Sequence, residues 1–433
     1  MPTTEYADTL AWLYALEAAK GMDFKLERVA LALKNLGEPQ TRYPCIHVAG
    51  TNGKGSVSAM THAALDAAGY RAGLYVSPHL VSFTERIRVG STLIAETEVV
   101  HLTHEIRTAA SSRGIDLTFF EFVTVMAFLH FARSAVDVAV IEVGLGGRLD
   151  ATNVIEPLVS VITSIDLDHE EYLGETIESV TTEKCGIVKA GVPVVVGAVG
   201  PQARAVIESI VAERDAPVYW ANSGFGLSGS DDGVFCGVGP DLDGISLSLR
   251  GRFQADNAAV AIATLRLVGA RLAIPDDAIR RGLSDVSWPG RFEVVRAEPL
   301  VIVDGAHNGA AIRMLTRELP AIAGERKIHL LFAVMRDKRW EPMLDELIPQ
   351  VASVTLTTAL PGRGEEPERL AAFIGSRVPL RIARDAGAAF EDLVRRVPPC
   401  DAILVTGSLF LVGQVYPTFS RWRQRVDGHL SLG

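Results

Sequence analysis

Two α/β domains, each built on a mostly parallel sheet, are what this sequence predicts. Three observations carry the prediction. The chain has 433 residues, too many for one ordinary core. Short, nearly continuous apolar runs alternate with helical segments, as in strands covered on both faces. The alternation then stops at a stretch rich in Gly, Asp and Ser, passes a Pro-Gly pair, and begins again. The expected domains are 1–289 and 290–433.

Residues 5–36 have a helical pattern, broken at Gly21-Met22-Asp23. Strands are expected at "IHVAG" (46–50), "AGLYV" (72–76), "VAVIEV" (138–143), "LVSVITSI" (158–165) and "VPVVVG" (192–197), with helices near 54–68, 97–112, 120–134 and 175–189. Residues 222–250, with brief alternating runs such as "ISLSL", read as antiparallel ribbons on the edge of the first domain. Helices near 254–270 and 275–284 follow, and "SDVSWPGRFEVV" (284–295) reads as a linker. Beyond it, "LVIVDGAHN", "KIHLLFAV", "VASVTLTT", "LRIARD" and "DAILVTGS" give a smaller domain of some five strands.

Composition narrows the function. The net charge is −10, a poor match for nucleic acid backbone, which wants a basic face. A local cluster of lysines and backbone amides still suits a small anion. The four cysteines are scattered, with no C-x-x-C, as expected of buried thiols in a reducing compartment. Acidic residues occupy the start of the chain where a signal peptide is basic, and no apolar run approaches the ~20 residues that cross a bilayer. The expectation is a cytoplasmic protein.

Between the first strand and its helix lies Gly50-Thr51-Asn52-Gly53-Lys54-Gly55-Ser56. Glycines let backbone approach an anion, the helix N-terminus supplies amides and positive dipole, Lys54 adds a charge, and Ser56 offers a hydroxyl to Mg²⁺. The common G-x-x-x-x-G-K-[ST] spacing is not met: Val48 and Gly55 break it. The strand–loop–helix context carries the reading instead; the plain alternative is a tight turn in a βα unit.

Ligands of open parallel sheets bind at the strands' carboxyl ends. There the sequence puts Glu142, Asp166, Asp168, His169 and Ser77-Pro78-His79. Oxygen donors dominate, which suits Mg²⁺. Lys184 falls at helical spacing on the apolar face of Ile177, Val180, Ile187 and Val188. Lysine is rarely buried without a partner, so it is either a snorkelling stem or a functional amine.

Together "HVAGTNGKGS", "SPHLVSFTERIRV", "LTFFEFVT", "EVGLGGRLDATN", "DLDHEEYLGET", "EKCGIVKAG", "PGRFEVV", "DGAHN" and "TGSL" resemble the bacterial bifunctional dihydrofolate synthase/folylpolyglutamate synthase family, a branch of the Mur ligase-like, ATP-dependent amide ligases. The resemblance implies a P-loop NTPase-like N-terminal domain and a Rossmann-like C-terminal one. It implies that L-glutamate is joined to dihydropteroate or a folate through an acyl phosphate. ATP would be held by residues 50–56, with Lys54 on the β- and γ-phosphates, and by Asn257, Arg291 and Asp304. Two Mg²⁺ sites would draw on Ser77 and Glu142, and on Glu142, His169 and a carbamylated Lys184. His307 would lie near the reacting groups, and Thr118, Phe120 and Asp150 on the pterin side. A monomer is implied, acting on small molecules without nucleic acid or membrane; a need for a monovalent cation stays open. Two departures touch the glutamate side: Gly309 stands where the family has Pro after "AHN", and Asp337-Lys338-Arg339 replaces an acid–lysine–acid triplet. The rival readings are a ligase of the same superfamily acting on a UDP-sugar acid, and a nucleotide switch that makes no amide.

Overall fold

The computed structural model describes residues 4–20, 25–229 and 231–430, so the Gly21-Met22-Asp23 break lies outside the described residues. The chain forms two compact units, Met1–Ser248 with Gln254–Ser287, and Leu249–Phe253 with Trp288–Gly433. The short segment Leu249–Phe253, given to the first domain on sequence, belongs with the second unit.

The first unit is organised on the strands β1 (Cys45–Ala49), β2 (Ala72–Tyr75), β3 (Ile87–Val89), β4 (Thr92–Leu93), β5 (Val138–Glu142), β6 (Val159–Ile162), β7 (Val194–Val196) and β8 (Val218–Trp220). Their order is β4-β3-β2-β5-β1-β6-β7-β8. All neighbours are parallel except β2–β3 and β3–β4. The central strands β1, β5 and β6 are buried throughout, as their Val- and Ile-rich runs require. The chain leaves β1 toward β2 on one side, and β6 toward β7 on the other. The carboxyl ends of β1 and β6 are therefore a topological switch point, where this class of sheet opens a crevice.

The expected helices form as Lys54–Ala67, Glu96–Ser111, Phe119–Arg133 and Ile177–Lys184. The last is shorter than 175–189 because a 3₁₀ turn, Cys185–Ile187, follows Lys184. Three strands were not anticipated: β3 and β4, too short to show a period, and β8, whose residues are only half-buried. The Gly-rich stretch forms β9 (Gly226–Ser228), β10 (Gly233–Cys236) and β11 (Leu242–Ile245), the expected antiparallel ribbons, as a sheet of their own within the first unit. Two of the cysteines, Cys236 and Cys400, are exposed, against expectation; Cys45 and Cys185 are buried.

The second unit contains β12 (Glu293–Ala297), β13 (Leu300–Val303), β14 (Ile328–Phe332), β15 (Ser353–Leu356), β16 (Leu380–Ile382) and β17 (Ala402–Thr406), in the order β12-β13-β17-β14-β15-β16. Only β12 runs antiparallel to its neighbour. It corrects the linker reading of 284–295: "EVV" is the start of a strand, hairpinned onto β13. Its half-buried residues lack the continuous apolar run by which the other strands were legible.

Candidate active site

The register sets the strand ends level. Val48 on β1 pairs with Glu142 on β5, and Ala49 with Ile162 on β6. Beyond Ala49 the chain turns through Gly50 and Gly53; Gly53, at φ 86°, is left-handed and lies under the Asn257 side-chain oxygen, where a Cβ has no room. This brings Asn257, from the helix Arg252–Val268, onto the phosphate-loop candidate.

The loop is held by the segment after β6. Thr163 Oγ1 donates to the Asn52 carbonyl (2.6 Å), as does Ser164 Oγ (3.0 Å), and Ser164 Oγ accepts from the Asn52 N–H (2.9 Å). The Thr51 N–H donates to the Ser164 carbonyl (2.8 Å), and the Thr51 hydroxyl bridges to the backbone of Asp166. The amides of Thr51 and Asn52 are thus spent on holding the loop. The first bond inside the following helix runs from the Val57 N–H to the Gly53 carbonyl (2.9 Å). What the loop still offers an anion is the first-turn amides, which a helix does not itself satisfy, and the helix dipole. Sequence reasoning singled out neither Thr163 nor Ser164. Their signal is two hydroxyl residues directly after a fully buried strand.

Both lysines arrive at this loop. Lys54 Nζ donates to the Gly50 carbonyl (3.1 Å) and the Thr51 carbonyl (3.2 Å). Lys184, 4% exposed, donates to the same Gly50 carbonyl (3.0 Å) from 134 residues away. The snorkelling alternative for Lys184 fails, since its amine reaches a buried carbonyl and not water. Its helix is docked by close backbone approach: the Arg148 N–H donates to the Glu183 carbonyl (2.8 Å), and Asn153 Nδ2 to the Gly186 carbonyl (3.1 Å). Gly186 lies so near the Arg148 backbone that a side chain there would overlap it.

Glu142, buried at the end of β5, receives a long contact from the Ser77 N–H (3.4 Å). His169 stands on the segment following β6, opening the short helix Glu170–Leu173, with its ring 3.9 Å from Asp168. Among the described residues no three His, Cys, Asp or Glu side chains form a metal cage. A buried carboxylate beside a serine, next to a loop suited to phosphates, still fits Mg²⁺, which usually takes one or two carboxylates and completes its shell with phosphate and water. Ser56 is buried in the first turn of the helix.

On the expected pterin side, Thr118 and Asp150 have local duties. Thr118 caps the helix Phe119–Arg133: its Oγ1 accepts from the Glu121 N–H, and its own N–H donates to Glu121 Oε2 (2.8 Å). Glu121 in turn accepts from Arg28 (2.8 Å). Asp150 is fully buried, with Oδ2 accepting from the Leu145 N–H (2.9 Å) and Oδ1 from the Thr152 N–H (3.0 Å) and hydroxyl. Burial pushes its pKa up while these bonds hold it down. Because Thr152 gives its one hydroxyl proton to Asp150, it accepts from His47, whose Nε2 lies 2.8 Å away. His47 is neutral, carries its proton on Nε2, and is pushed by burial down to about 3. Phe120 is half-exposed, its ring against Gly144 and tilted at 6.1 Å to Tyr75.

The second unit has its own polar strand end. Asp304, directly after β13, is buried, and accepts from the Phe292 N–H and the Ala306 N–H (both 2.7 Å). Burial raises its pKa; the Arg291 guanidinium opposes that rise. Arg291 lies against Gly305. His307 Nδ1 is 2.8 Å from the Gly305 carbonyl, so that nitrogen carries the proton. Asn308 caps the helix Gly309–Ala323 by accepting from the Ala311 N–H (2.9 Å). The Lys338 side chain is largely covered and lies 3.9 Å from Asp337.

A parallel sheet with a cationic glycine loop and a strand-end acid, joined to a second α/β unit, defines an ATP-dependent ligase of the Mur type. The Mur ligase middle domain matches residues 48–265, and the Mur ligase glutamate ligase domain residues 290–409. The dihydrofolate synthase/folylpolyglutamate synthase of Escherichia coli is 36% identical over 419 residues, spanning 95% of this chain and 96% of its own. The Escherichia coli FolC protein solved with DHPP and ADP superposes with a TM-score of 0.88 at 34% identity, over 96% of this chain and 98% of its own. A bifunctional folylpolyglutamate synthase/dihydrofolate synthase solved with Mn, AMPPNP and L-glutamate gives 0.87 at 33% identity, over 97% and 100%. A longer Haloferax volcanii relative, 36% identical, is spanned over about half its length (48%). The chain belongs to the dihydrofolate synthase/folylpolyglutamate synthase family of Mur ligases.

Proposed function

We propose that this chain is an ATP-dependent acid–amino-acid ligase of folate metabolism, joining L-glutamate to dihydropteroate and to folates that already carry glutamate. The observation that carries the reading is the meeting of Lys54 and Lys184 on one carbonyl of the glycine loop. There Lys54 supplies the pull on a triphosphate, and Lys184 brings a second amine, the one to be carbamylated, to the same buried oxygen.

The acceptor carboxylate attacks the γ-phosphorus of ATP, forming an acyl phosphate and releasing ADP. The glutamate amine then adds to the acyl carbon, and the tetrahedral intermediate expels phosphate to leave the amide. Lys54 and the first-turn amides neutralise the phosphate charge as the first bond forms. Asn257 on the loop, with Arg291 and Asp304 of the second unit, holds the nucleotide. His307, with its proton on Nδ1, keeps Nε2 as an acceptor near the reacting groups. Thr118, Phe120 and Asp150 shape the pterin side, Phe120 through its ring and the other two by fixing the loops on which it rests.

Two Mg²⁺ sites are part of this reading, one on Ser77 and Glu142 with Ser56 near the phosphates, the other on Glu142, His169 and a carbamylated Lys184. Bound Mg²⁺ would supply charge neutralisation on the phosphoryl oxygens. Carbamylation turns the Lys184 amine into an anionic oxygen donor, which gives an inward-facing lysine a purpose. The protein acts in this reading as a cytoplasmic monomer on small molecules.

An acceptor panel tests the reading: dihydropteroate, tetrahydrofolate and a UDP-sugar acid, each with ATP, Mg²⁺ and glutamate, with amide product and phosphate measured. Product from both pterin acceptors is expected. Product from the UDP-sugar acid alone would move the chain to a cell-wall ligase. ATP turnover indifferent to every acceptor would make it a nucleotide switch.

A further inference from the structure

The turn that carries Arg291 is held by Glu293 beside it and by Tyr416, a residue far along the chain and outside the family motifs. Gly290 is fixed at both ends of its backbone: its N–H donates to Glu293 Oε2 (2.9 Å), and its carbonyl accepts from the Gly305 N–H (2.9 Å). Phe292 is left-handed at φ 46° with its ring buried edge-on to Phe253. A non-glycine residue in that region is strained, and persists only when its surroundings impose it. Here the Phe292 N–H is bound to Asp304 and the ring is packed, so the residue after Arg291 cannot relax.

The residue before Arg291 depends on Glu293, and Glu293 depends on Tyr416. The Tyr416 hydroxyl lies 3.0 Å from Glu293 Oε1 and 3.2 Å from Oε2. Its ring is packed edge-on to Phe419, which is edge-on to Phe390. A phenol held by its own packing thus fixes a carboxylate, and the carboxylate fixes the backbone beside the guanidinium. A hydrogen bond to a charged acceptor is roughly twice as strong as a neutral one, so this tether is stiff.

We infer that Glu293 and Tyr416 are positioning residues for the nucleotide, acting through the Pro289–Phe292 turn to aim Arg291. The inference rests on the proposal that Arg291 contacts ATP. Its test compares Tyr416→Phe, Glu293→Gln, Arg291→Ala and the Tyr416→Phe/Arg291→Ala double variant. Calorimetry with AMPPNP and Mg²⁺ gives nucleotide affinity without turnover, and steady-state kinetics gives KM for ATP, pterin and glutamate. Tyr416→Phe is expected to weaken AMPPNP binding about fivefold and Glu293→Gln about tenfold, with KM for ATP rising in step. KM for pterin and glutamate should stay within about twofold. The double variant should bind no worse than Arg291→Ala alone, because the tether matters only through that side chain. Parent-like affinity in both single variants, or losses that add fully to Arg291→Ala, would overturn the inference. Parent-like affinity in Arg291→Ala would instead overturn the nucleotide role of Arg291 itself. A merely structural role would lower the melting temperature and all three KM-linked rates together, which is also a refutation.

Discussion

The loop after β1 and the turn after β13 are both polar strand ends at a carboxyl edge, yet they are fastened by opposite chemistry. The first is clamped by the hydroxyls of Thr163 and Ser164 and carries two lysines on one carbonyl. The second is clamped by a buried carboxylate, Asp304, that accepts two amides and is balanced by Arg291. The difference follows from what each can tolerate. A carboxylate fastening the glycine loop would set a negative charge beside the expected triphosphate, at a cost of about 3–4 kcal/mol for unit charges a few ångströms apart at a surface-like dielectric. Hydroxyls hold backbone equally well and bring no charge. At the second turn, the negative charge is itself useful, because it orders an arginine.

The largest expected effect comes from removing the second lysine at the glycine loop. Lys184→Ala should lower kcat for ligation by about 10³-fold, followed as phosphate release. Short carboxylic acids should restore part of it if the working form is a carbamate, since they resupply the missing oxygen donor. Full activity in the variant, without any added acid, would refute the carbamate proposal.

The comparison is sharpened by changing only the clamp. Ser164→Ala removes one hydroxyl and should weaken nucleotide binding by about threefold to tenfold, the range of one neutral hydrogen bond. Ser164→Asp keeps an acceptor for the Asn52 N–H but adds the charge, and should weaken binding by about 10²-fold or more. Equal losses in the two variants, measured by calorimetry with AMPPNP, would show that charge is irrelevant to how this loop is fastened.

The sequence made these two regions legible to different depths. Lys184 was readable because a lysine on an apolar helical face asks for a partner, and the glycine loop because its residues are unusual between a strand and a helix. The clamp was not readable: Thr163 and Ser164 are ordinary strand-end residues until β6 is known to lie beside β1. Asp150 and Thr118 carried motif positions, but only the coordinates reveal that their polar atoms tie their own loops. β12 escaped notice because its half-buried residues carry no continuous apolar run, and the Pro-Gly pair just ahead of it marked a boundary. Pairing decides all of these cases, and one chain read alone carries no pairing.

Asp304→Asn tests the second clamp. An amide offers one acceptor where the carboxylate offers two, so either the Phe292 N–H or the Ala306 N–H is left facing a donor. A destabilisation of about 1–3 kcal/mol is expected by chemical denaturation, less whatever is regained by no longer burying charge. The pH dependence carries the sign. Asp304 has its pKa raised in the fold, so the native state holds the proton more tightly than the unfolded one; this group's contribution falls as pH rises through the interval between the two values, and is flat above it. The variant should lose that part of the slope. A stability difference from the parent that does not vary with pH across that interval would mean that burial does not perturb the carboxyl.

His47 gives an effect of the opposite sign. Its imidazole is buried on β1 and depressed from 6.5 to about 3, so between those values the unfolded chain takes up a proton that the native protein refuses. Stability therefore rises with pH across that window and is fully present above the unfolded value. The slope approaches about 1.4 kcal/mol per pH unit for one such group. Replacing His47 with Gln keeps a donor for Thr152 and removes the titration, so the stability curve between pH 6.5 and 4 should flatten by that amount. Because His47 reaches Asp150 through Thr152, the same variant separates two sources of acid sensitivity in the first unit. Asp150, raised by burial, favours the fold as the pH drops, whereas His47 opposes it. A parent-like slope in His47→Gln would mean that the imidazole is protonated in the fold, and the proton order His47 to Thr152 to Asp150 would then have to be redrawn.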